Sequence, residues 1–265
     1  MPFRYFQVDA FADAVFGGNP AGVVPLDTWP EDALLQRMAG EHNLSETAFL
    51  CRDRSGEEDF LLRWMTPVSE VDLCGHATLS AAHVLWEHLG WSGERVTFSS
   101  HSGRLTVRRV GDLYELDFPA LRMEPIDDLS ALTVALGGAP VEAYRGLYDV
   151  AVFESQDDIE GLHPDHSAIA RLDGVSALGV TAPGREQHFV SRLFAPRLGI
   201  AEDPVTGSLH SLLAPYWSER LGVATLDARQ VSRRGGELRC TVDGDRVRIA
   251  GRAVTYLQGE ILLGE

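Results

Sequence analysis

The sequence contains no lysine: all 23 basic residues in the chain of 265 residues are arginine. Pyridoxal enzymes and Schiff-base aldolases need a lysine amine as their covalent handle. P-loop nucleotidases and protein kinases need a lysine beside the phosphates of their nucleotide. The composition therefore excludes all of these enzyme classes.

Cysteines and long apolar runs are also scarce. Cys51, Cys74 and Cys240 are too few, and odd in number, for a disulfide framework. No run approaches the roughly 18 apolar residues of a membrane span, and residues 1–9 show no apolar stretch typical of a signal peptide. We therefore expect a cytoplasmic protein with reduced thiols.

Acidic side chains outnumber basic ones by 39 to 23, which gives a formal net charge of −16. Nucleic acids and anionic membranes attract basic surfaces, so neither is an expected partner. A small anionic substrate is compatible with this charge because a cleft can be locally positive inside an acidic protein.

Residue periodicity predicts strands and helices in alternation. The main predicted helices cover residues 77–89 and 207–221, and Pro215 is expected to kink the second of them. Thr28 and Glu31 form a capping-box pattern that predicts the start of an earlier helix.

One pattern occurs in both halves of the chain. Each half has a strand ending in R-x-x-x-P, then an acidic loop, then a helix that starts with small residues. The matching segments are Arg63–Pro67 with Asp72–Thr78, and Arg192–Pro196 with Asp203–Ser208. This order predicts a duplicated α+β unit, with domains at residues 1–118 and 119–265. A return of the last strand to the first domain is the alternative to this division.

The starts of the two predicted helices are candidate anion sites, because a helix N-terminus presents unpaired N–H groups and partial positive charge. Glu46, Asp72, His76, Asp203 and Ser208 lie at or near these segments or begin a neighbouring strand. Carboxylates and a histidine in a dry cleft can move a proton on and off carbon.

Each of these residues also has an ordinary structural interpretation. Asp72 and Asp203 precede helices, where capping aspartates are common. His76 is expected to be solvated if it has no role, and Cys74 is either a buried small side chain or a nucleophile. No metal motif is found, since the histidines near residue 76 lack the four-residue separation of a helical metal site.

Five segments together resemble the phenazine-biosynthesis PhzF-like family, and they span nearly the whole chain in the order of that family. The segments are Gln7–Phe11, Gly18–Ala21, Asn43–Phe49, Asp72–Thr78 and Glu202–Ser208.

The resemblance implies an α+β fold of the diaminopimelate-epimerase type: two similar domains, each a mostly antiparallel sheet wrapped around a central helix, with the site between them. It also implies proton transfer without a metal or an organic cofactor, and a homodimer. Characterised members of the family isomerise a dihydro-hydroxyanthranilate by shifting a proton between ring carbons.

The resemblance also implies roles for individual residues. Glu46 matches the catalytic acid/base, and His76 and Asp203 match assisting proton-handling positions. The positions expected to bind the substrate, partly through a carboxylate held by backbone N–H groups, are Asn19, Asp72, Gly75, Gly207 and Ser208.

One departure from the wider fold concerns its thiols. Diaminopimelate epimerases and proline racemases use a facing pair of thiols, whereas here Cys74 has no counterpart in the second loop, 203–206.

The leading hypothesis is a cofactor-independent isomerase that moves a proton on a small carboxylate-bearing metabolite, cyclic or unsaturated. The alternatives are a non-catalytic binding protein of the same fold and a nucleophilic enzyme using Cys74 and His76.

Overall fold

The computed structural model describes residues 2–174 and 176–263. The chain forms two compact units: unit 1 comprises residues 1–117 and 250–265, and unit 2 comprises residues 118–249. Among the described helices, none combines the length and the apolar character that crossing a membrane requires.

Strands dominate both units, and each unit has one long helix. The strands are β1 Phe3–Ala10, β2 Asn19–Leu26, β3 Glu46–Arg52, β4 Phe60–Met65, β5 Glu70–Val71, β6 Arg95–Ser100, β7 Gly103–Val110, β8 Leu113–Pro119, β9 Glu124–Pro125, β10 Glu142–Arg145, β11 Asp149–Val152, β12 Leu178–Pro183, β13 Phe189–Ala195, β14 Ile200–Asp203, β15 Thr225–Gln230, β16 Gly236–Asp243, β17 Arg246–Gly251 and β18 Ala253–Ile261. The helices are α1 Asp32–His42, α2 Gly75–His88, α3 Ser130–Leu136, α4 Gln156–Glu160, α5 His166–Ala170 and α6 Gly207–Leu221.

In unit 1 the sheet runs β18–β1–β2–β3–β4–β6–β7–β8. The pairs β2–β3 and β4–β6 are parallel, and the other pairs are antiparallel. Helix α2 packs on β1, β2 and β3, and every residue from His76 to Trp86 is buried. A helix buried on all sides must be apolar or small all round, which fits its run of Ala, Leu and Val residues.

Unit 2 repeats this pairing order. Its sheet runs β10–β11–β12–β13–β15–β16, with parallel pairs at β11–β12 and β13–β15. Helix α6 packs on β15 and β16, and its Trp217 is buried and donates from Nε1 to Thr181 Oγ1 at 2.9 Å. A second core layer is formed by α3, α4 and α5 against β12 and β13.

The repeated R-x-x-x-P pattern has the same role in both units. Arg63 in β4 pairs with Glu70 through two hydrogen bonds of 2.7 and 2.8 Å, and Arg192 in β13 pairs with Glu202 at 2.8 and 3.1 Å. In each case the arginine joins its strand to the short antiparallel strand that leads to the long helix. These paired units match the α+β duplication expected from the sequence.

The last strand, β18, pairs along β1 from Phe3 to Ala10 and so belongs to unit 1, a return that the sequence had left open. One expectation about a helix cap was wrong. The Thr28 capping box is absent: Glu31 is the N-cap of α1, and no side chain caps it. Helix α6 includes Pro215 and continues to Leu221.

The loop before α6 is held by Gln230, the last residue of β15, whose side chain is fully buried. Its Oε1 accepts from the backbone N–H of Thr206 at 2.9 Å, and its Nε2 donates to the carbonyl of Asp203 at 2.7 Å. The side-chain amide of Gln230 thus forms hydrogen bonds with backbone groups at both ends of this loop, and these bonds fix where α6 begins.

Replacing Gln230 by leucine should destabilise the protein by about 1 to 3 kcal/mol, because a buried N–H and a buried carbonyl lose their partner. Urea unfolding measures this loss. The exposed Gln258 of β18 provides the control, Gln258→Leu. Equal stability losses in the two variants would contradict the role assigned to Gln230.

Buried histidines make stability depend on pH. Burial lowers the pKa of His42, His83 and His210 to about 4, and in His210 a hydrogen bond to the carbonyl of Thr206 partly opposes this. The unfolded chain, with histidine pKa values near ~6.5, binds more protons than the folded chain between these values. The free energy of unfolding should therefore fall as the pH falls from about 6.5 towards 4.

The variant His210→Gln tests this linkage. It should flatten the pH dependence of the unfolding free energy in that window by up to about 1.4 kcal/mol per pH unit. Denaturant titrations at several pH values measure the slope. The exposed His101, replaced by glutamine, is the control, and a slope that His210→Gln leaves unchanged would contradict the prediction.

Candidate functional site

In unit 1, Glu46, Cys74 and His76 lie together. Glu46 is the first residue of β3, Cys74 is the N-cap of α2, and His76 lies in the first turn of that helix. His76 Nε2 is 3.3 Å from Glu46 Oε2, and His76 Nδ1 is 3.5 Å from Cys74 Sγ. The imidazole ring thus touches a carboxylate through one nitrogen and a thiol through the other.

Ser45 and Asn19 complete the surroundings of His76. Ser45 Oγ lies 3.5 Å from His76 Nε2 and donates to Asn19 Oδ1 at 3.4 Å. Asn19 begins β2 and is fully buried. The parallel pairing of β2 with β3, which aligns Ala21 with Glu46, sets these strand starts side by side.

The Glu46 carboxyl is largely withdrawn from water, and 19% of its side chain is exposed. Burial raises its pKa above the ordinary value, while hydrogen bonds from Ser45 and Cys74 partly oppose this shift. Oε2 is buried and accepts no hydrogen bond from the described residues, although His76 Nε2 lies 3.3 Å from it. A carboxyl whose pKa is raised in this way holds a proton more readily than an exposed one, and it can take a proton up and return it.

The same three side chains offer possible metal ligands. One ligand atom each from Glu46, Cys74 and His76 lies within 4.8 Å of the other two. The sequence did not indicate a possible metal site here, because Glu46 lies on a different element and far along the chain from Cys74 and His76.

Asp72 is not part of this cluster. Its carboxylate is 88% exposed and lies 4.0 Å from His101 Nδ1. It does not cap α2 either, because Cys74 is the N-cap residue and no side chain caps this helix start. Gly75 is the first residue of α2 and is half-buried.

In unit 2, Asp203 ends β14 and accepts a hydrogen bond from the Thr206 hydroxyl. Thr206, rather than Asp203, is the N-cap of α6, so the capping interpretation was wrong for both aspartates. Gly207 starts the helix, and a Cβ there would meet no heavy atom within 4 Å. Ser208 Oγ lies 2.9 Å from Tyr148 Oη. The first turn of α6 therefore has open space beside the backbone of Gly207, and the Ser208 hydroxyl in the same turn is oriented by its contact with Tyr148.

Sequence reasoning missed several residues that shape these two places. Ser45 and Thr206 lie inside the quoted segments, so their positions were visible although their contacts were not. Tyr148 and Gln230 carry no sequence signal, since both contact their loops from distant strands or turns.

A family model described as "Phenazine biosynthesis-like protein" matches residues 8–259 of the chain. A relative named as an uncharacterized isomerase, from Pseudomonas aeruginosa, is 48% identical over 264 residues, covering 99% of this chain and 100% of the relative. The crystal structure of a PhzF-family phenazine biosynthesis protein from Enterococcus faecalis matches with a TM-score of 0.96 and 45% identity, over 99% of this chain and 100% of that one.

The fold also extends to more distant enzymes. A hydroxyproline epimerase from Agrobacterium vitis aligns with a TM-score of 0.64 and 11% identity, over 100% of this chain and 93% of that one, which shows a shared fold alone. The name of the Pseudomonas aeruginosa relative supports an isomerase as the enzyme class. The family resemblance and the epimerase-like α+β fold expected from the sequence are both confirmed, and the chain belongs to the PhzF family of phenazine biosynthesis-like proteins.

Proposed function

We propose that this protein is an isomerase that moves a proton on a small carboxylate-bearing metabolite, cyclic or unsaturated, with Glu46 as the acid/base. The observation that carries the proposal is the largely buried Glu46 carboxyl, which lies against His76 with one oxygen lacking a hydrogen bond. We further propose that the reaction needs no organic cofactor and no metal.

The proposed reaction conserves atoms and electrons. The Glu46 carboxylate takes a proton from a substrate carbon, and the electron pair of that C–H bond spreads into the neighbouring unsaturated system or carboxylate. The protonated Glu46 then returns the proton to another carbon of the same molecule. Substrate and product thus differ only in the position of one hydrogen and the adjacent double bond.

His76 is proposed to assist this transfer. Its Nε2 lies 3.3 Å from Glu46 Oε2, so the ring can exchange a proton with the carboxyl or stabilise its charged form. Asn19, through Ser45, limits how the ring and the carboxyl can move. Since Asp72 is exposed, its proposed part in substrate binding has less support than that of Asn19.

Backbone groups at helix starts are proposed to hold anionic parts of a ligand. In unit 1 this role falls to Gly75 at the start of α2. In unit 2 it falls to Gly207 and Ser208, supported by the room beside Gly207 and by the contact of Ser208 with Tyr148. Asp203 is proposed to handle a proton there, and the Thr206 hydroxyl holds its carboxylate.

A second candidate function is nucleophilic catalysis by Cys74. The observation that favours it is the 3.5 Å contact between Cys74 Sγ and His76 Nδ1, which is the arrangement of an activated thiol. The Glu46 carboxyl beside this pair makes proton transfer the better-supported function, because a thiol nucleophile does not require it.

Glu46→Gln should lower proton exchange at carbon by about 100-fold or more, because the amide cannot take a proton. The measurement is deuterium incorporation from D₂O into a panel of small unsaturated carboxylic acids, followed by mass spectrometry and NMR. The exposed Glu41 of α1 supplies the matched control Glu41→Gln, which should exchange as the wild type does. Unchanged exchange in Glu46→Gln would show that another group is the base, and acids that bind without exchange would favour a binding protein.

Cys74→Ala should retain most of the exchange activity, since the proposed proton path runs through Glu46. A nucleophilic thiol predicts the opposite: complete loss of activity in Cys74→Ala and a covalent adduct in the wild type. Exchange assays together with intact-protein mass spectrometry after rapid acid quenching separate the two outcomes.

A further inference from the structure

The Glu46–Cys74–His76 cluster combines a carboxylate, a thiol and an imidazole around one point in unit 1. We propose that this cluster is a binding site for a thiophilic divalent cation of the zinc class, and that the bound cation inhibits the protein. The proposal rests on three possible ligand atoms, one from each side chain, that lie within 4.8 Å of one another.

The spacing fits a tetrahedral ion after small side-chain rotations. Zinc bonds of about 2.0 to 2.3 Å place tetrahedral ligand atoms roughly 3.5 Å apart. The cluster already contains contacts of 3.3 Å between Glu46 and His76 and of 3.5 Å between Cys74 and His76. These two contacts use different ring nitrogens, so one rotation of the His76 ring brings a single nitrogen towards both partners.

The chemistry of the donors selects the class of ion. A thiolate with an imidazole suits zinc, cobalt or cadmium, whereas magnesium and calcium prefer sites made only of oxygen ligands. Cys74 would lose its proton to solvent when it bonds the ion, and the cation would supply the partner that Glu46 Oε2 lacks. Three protein ligands are the usual number for zinc sites that leave one position to water.

The fold holds the three ligands in place before any ion arrives. Cys74 and His76 share the start of α2, a helix buried along its length, and Glu46 begins β3, on which that helix packs. Binding therefore orders little of the chain, which favours affinity. Within the part of the chain that the structure describes, no other group of three such side chains meets this spacing.

Inhibition follows from the identity of the ligands. An ion on Glu46 and His76 removes the base and its neighbour from proton transfer. This step rests on the proposed function, whereas binding of the ion does not.

Cobalt(II) is the probe for binding, because thiolate coordination gives a charge-transfer absorption and tetrahedral cobalt absorbs in the visible range. Titration of the protein should give one equivalent of bound cobalt, displaced by zinc. Cys74→Ser should lose the charge-transfer band, and His76→Gln should weaken binding at least about tenfold. Thermal unfolding of each variant shows whether it is folded.

Cys51→Ser is the matched control. Cys51 is also buried, and its thiol donates to the carbonyl of Asp27 at 3.5 Å, a bond that serine can replace. This variant should bind cobalt as the wild type does. Absence of the charge-transfer band in the wild type, or a band that persists in Cys74→Ser and disappears in Cys51→Ser, would overturn the proposal.

Deuterium exchange with and without one equivalent of zinc separates this proposal from the proposed function. Zinc should stop exchange and a chelator should restore it. Cobalt binding without any effect of zinc on exchange would leave the metal site standing and overturn its inhibitory role and the assignment of Glu46 as base. Exchange without cobalt binding would overturn the metal site and leave the proposed function intact.

Discussion

The burial of α2 is the constraint on which the unit 1 site depends. Polar side chains on this helix bond to the helix itself: Thr78 Oγ1 donates to the Cys74 carbonyl at 2.6 Å, and Ser80 Oγ donates to the His76 carbonyl at 2.9 Å. The helix can therefore lie inside the sheet without leaving these groups unpaired. Because it cannot shift without exposing apolar surface, Cys74 and His76 remain fixed opposite the start of β3.

The absence of lysine is consistent with how each unit is built. Arg63 and Arg192 each donate two hydrogen bonds to one glutamate carboxylate, and Arg192 also donates to the Ile159 carbonyl at 2.8 Å. A planar guanidinium makes these parallel bonds and extra contacts, while an ammonium group cannot reproduce them. Both loops that lead to the long helices depend on this geometry, so arginine at these two positions is structural.

The elements with strong periodicity were predictable from the sequence, and the contacts between them were not. Helices α2 and α6 were predicted within two residues at their starts, because an apolar run after a small-residue loop is a strong signal. Strand β14 gives a weak signal in the sequence because its residues are mostly half-buried, and β15 gives a weak one because its three buried positions include the small Ala228 and the polar Gln230. Glu46 and His76 were candidates from their positions in the sequence, and the family resemblance implied their roles. Their 3.3 Å contact depends on how α2 packs against the sheet, which periodicity does not encode. The two aspartates were misread as caps because each helix begins two or more residues later than an aspartate cap would require.

The return of β18 to unit 1 sets an order for events during synthesis. Unit 2 is one continuous stretch, residues 118–249, and the strand pairs of its sheet from β10 to β16 all lie within that stretch. Unit 1 must wait, because β1 lacks the strand that pairs with it from Phe3 to Ala10 until β18 has been made. Until then one long side of β1 is an unprotected edge. The nascent chain thus carries an open edge strand until β18 emerges, and an unpaired strand edge of this kind is the feature that makes partly folded chains prone to misassembly.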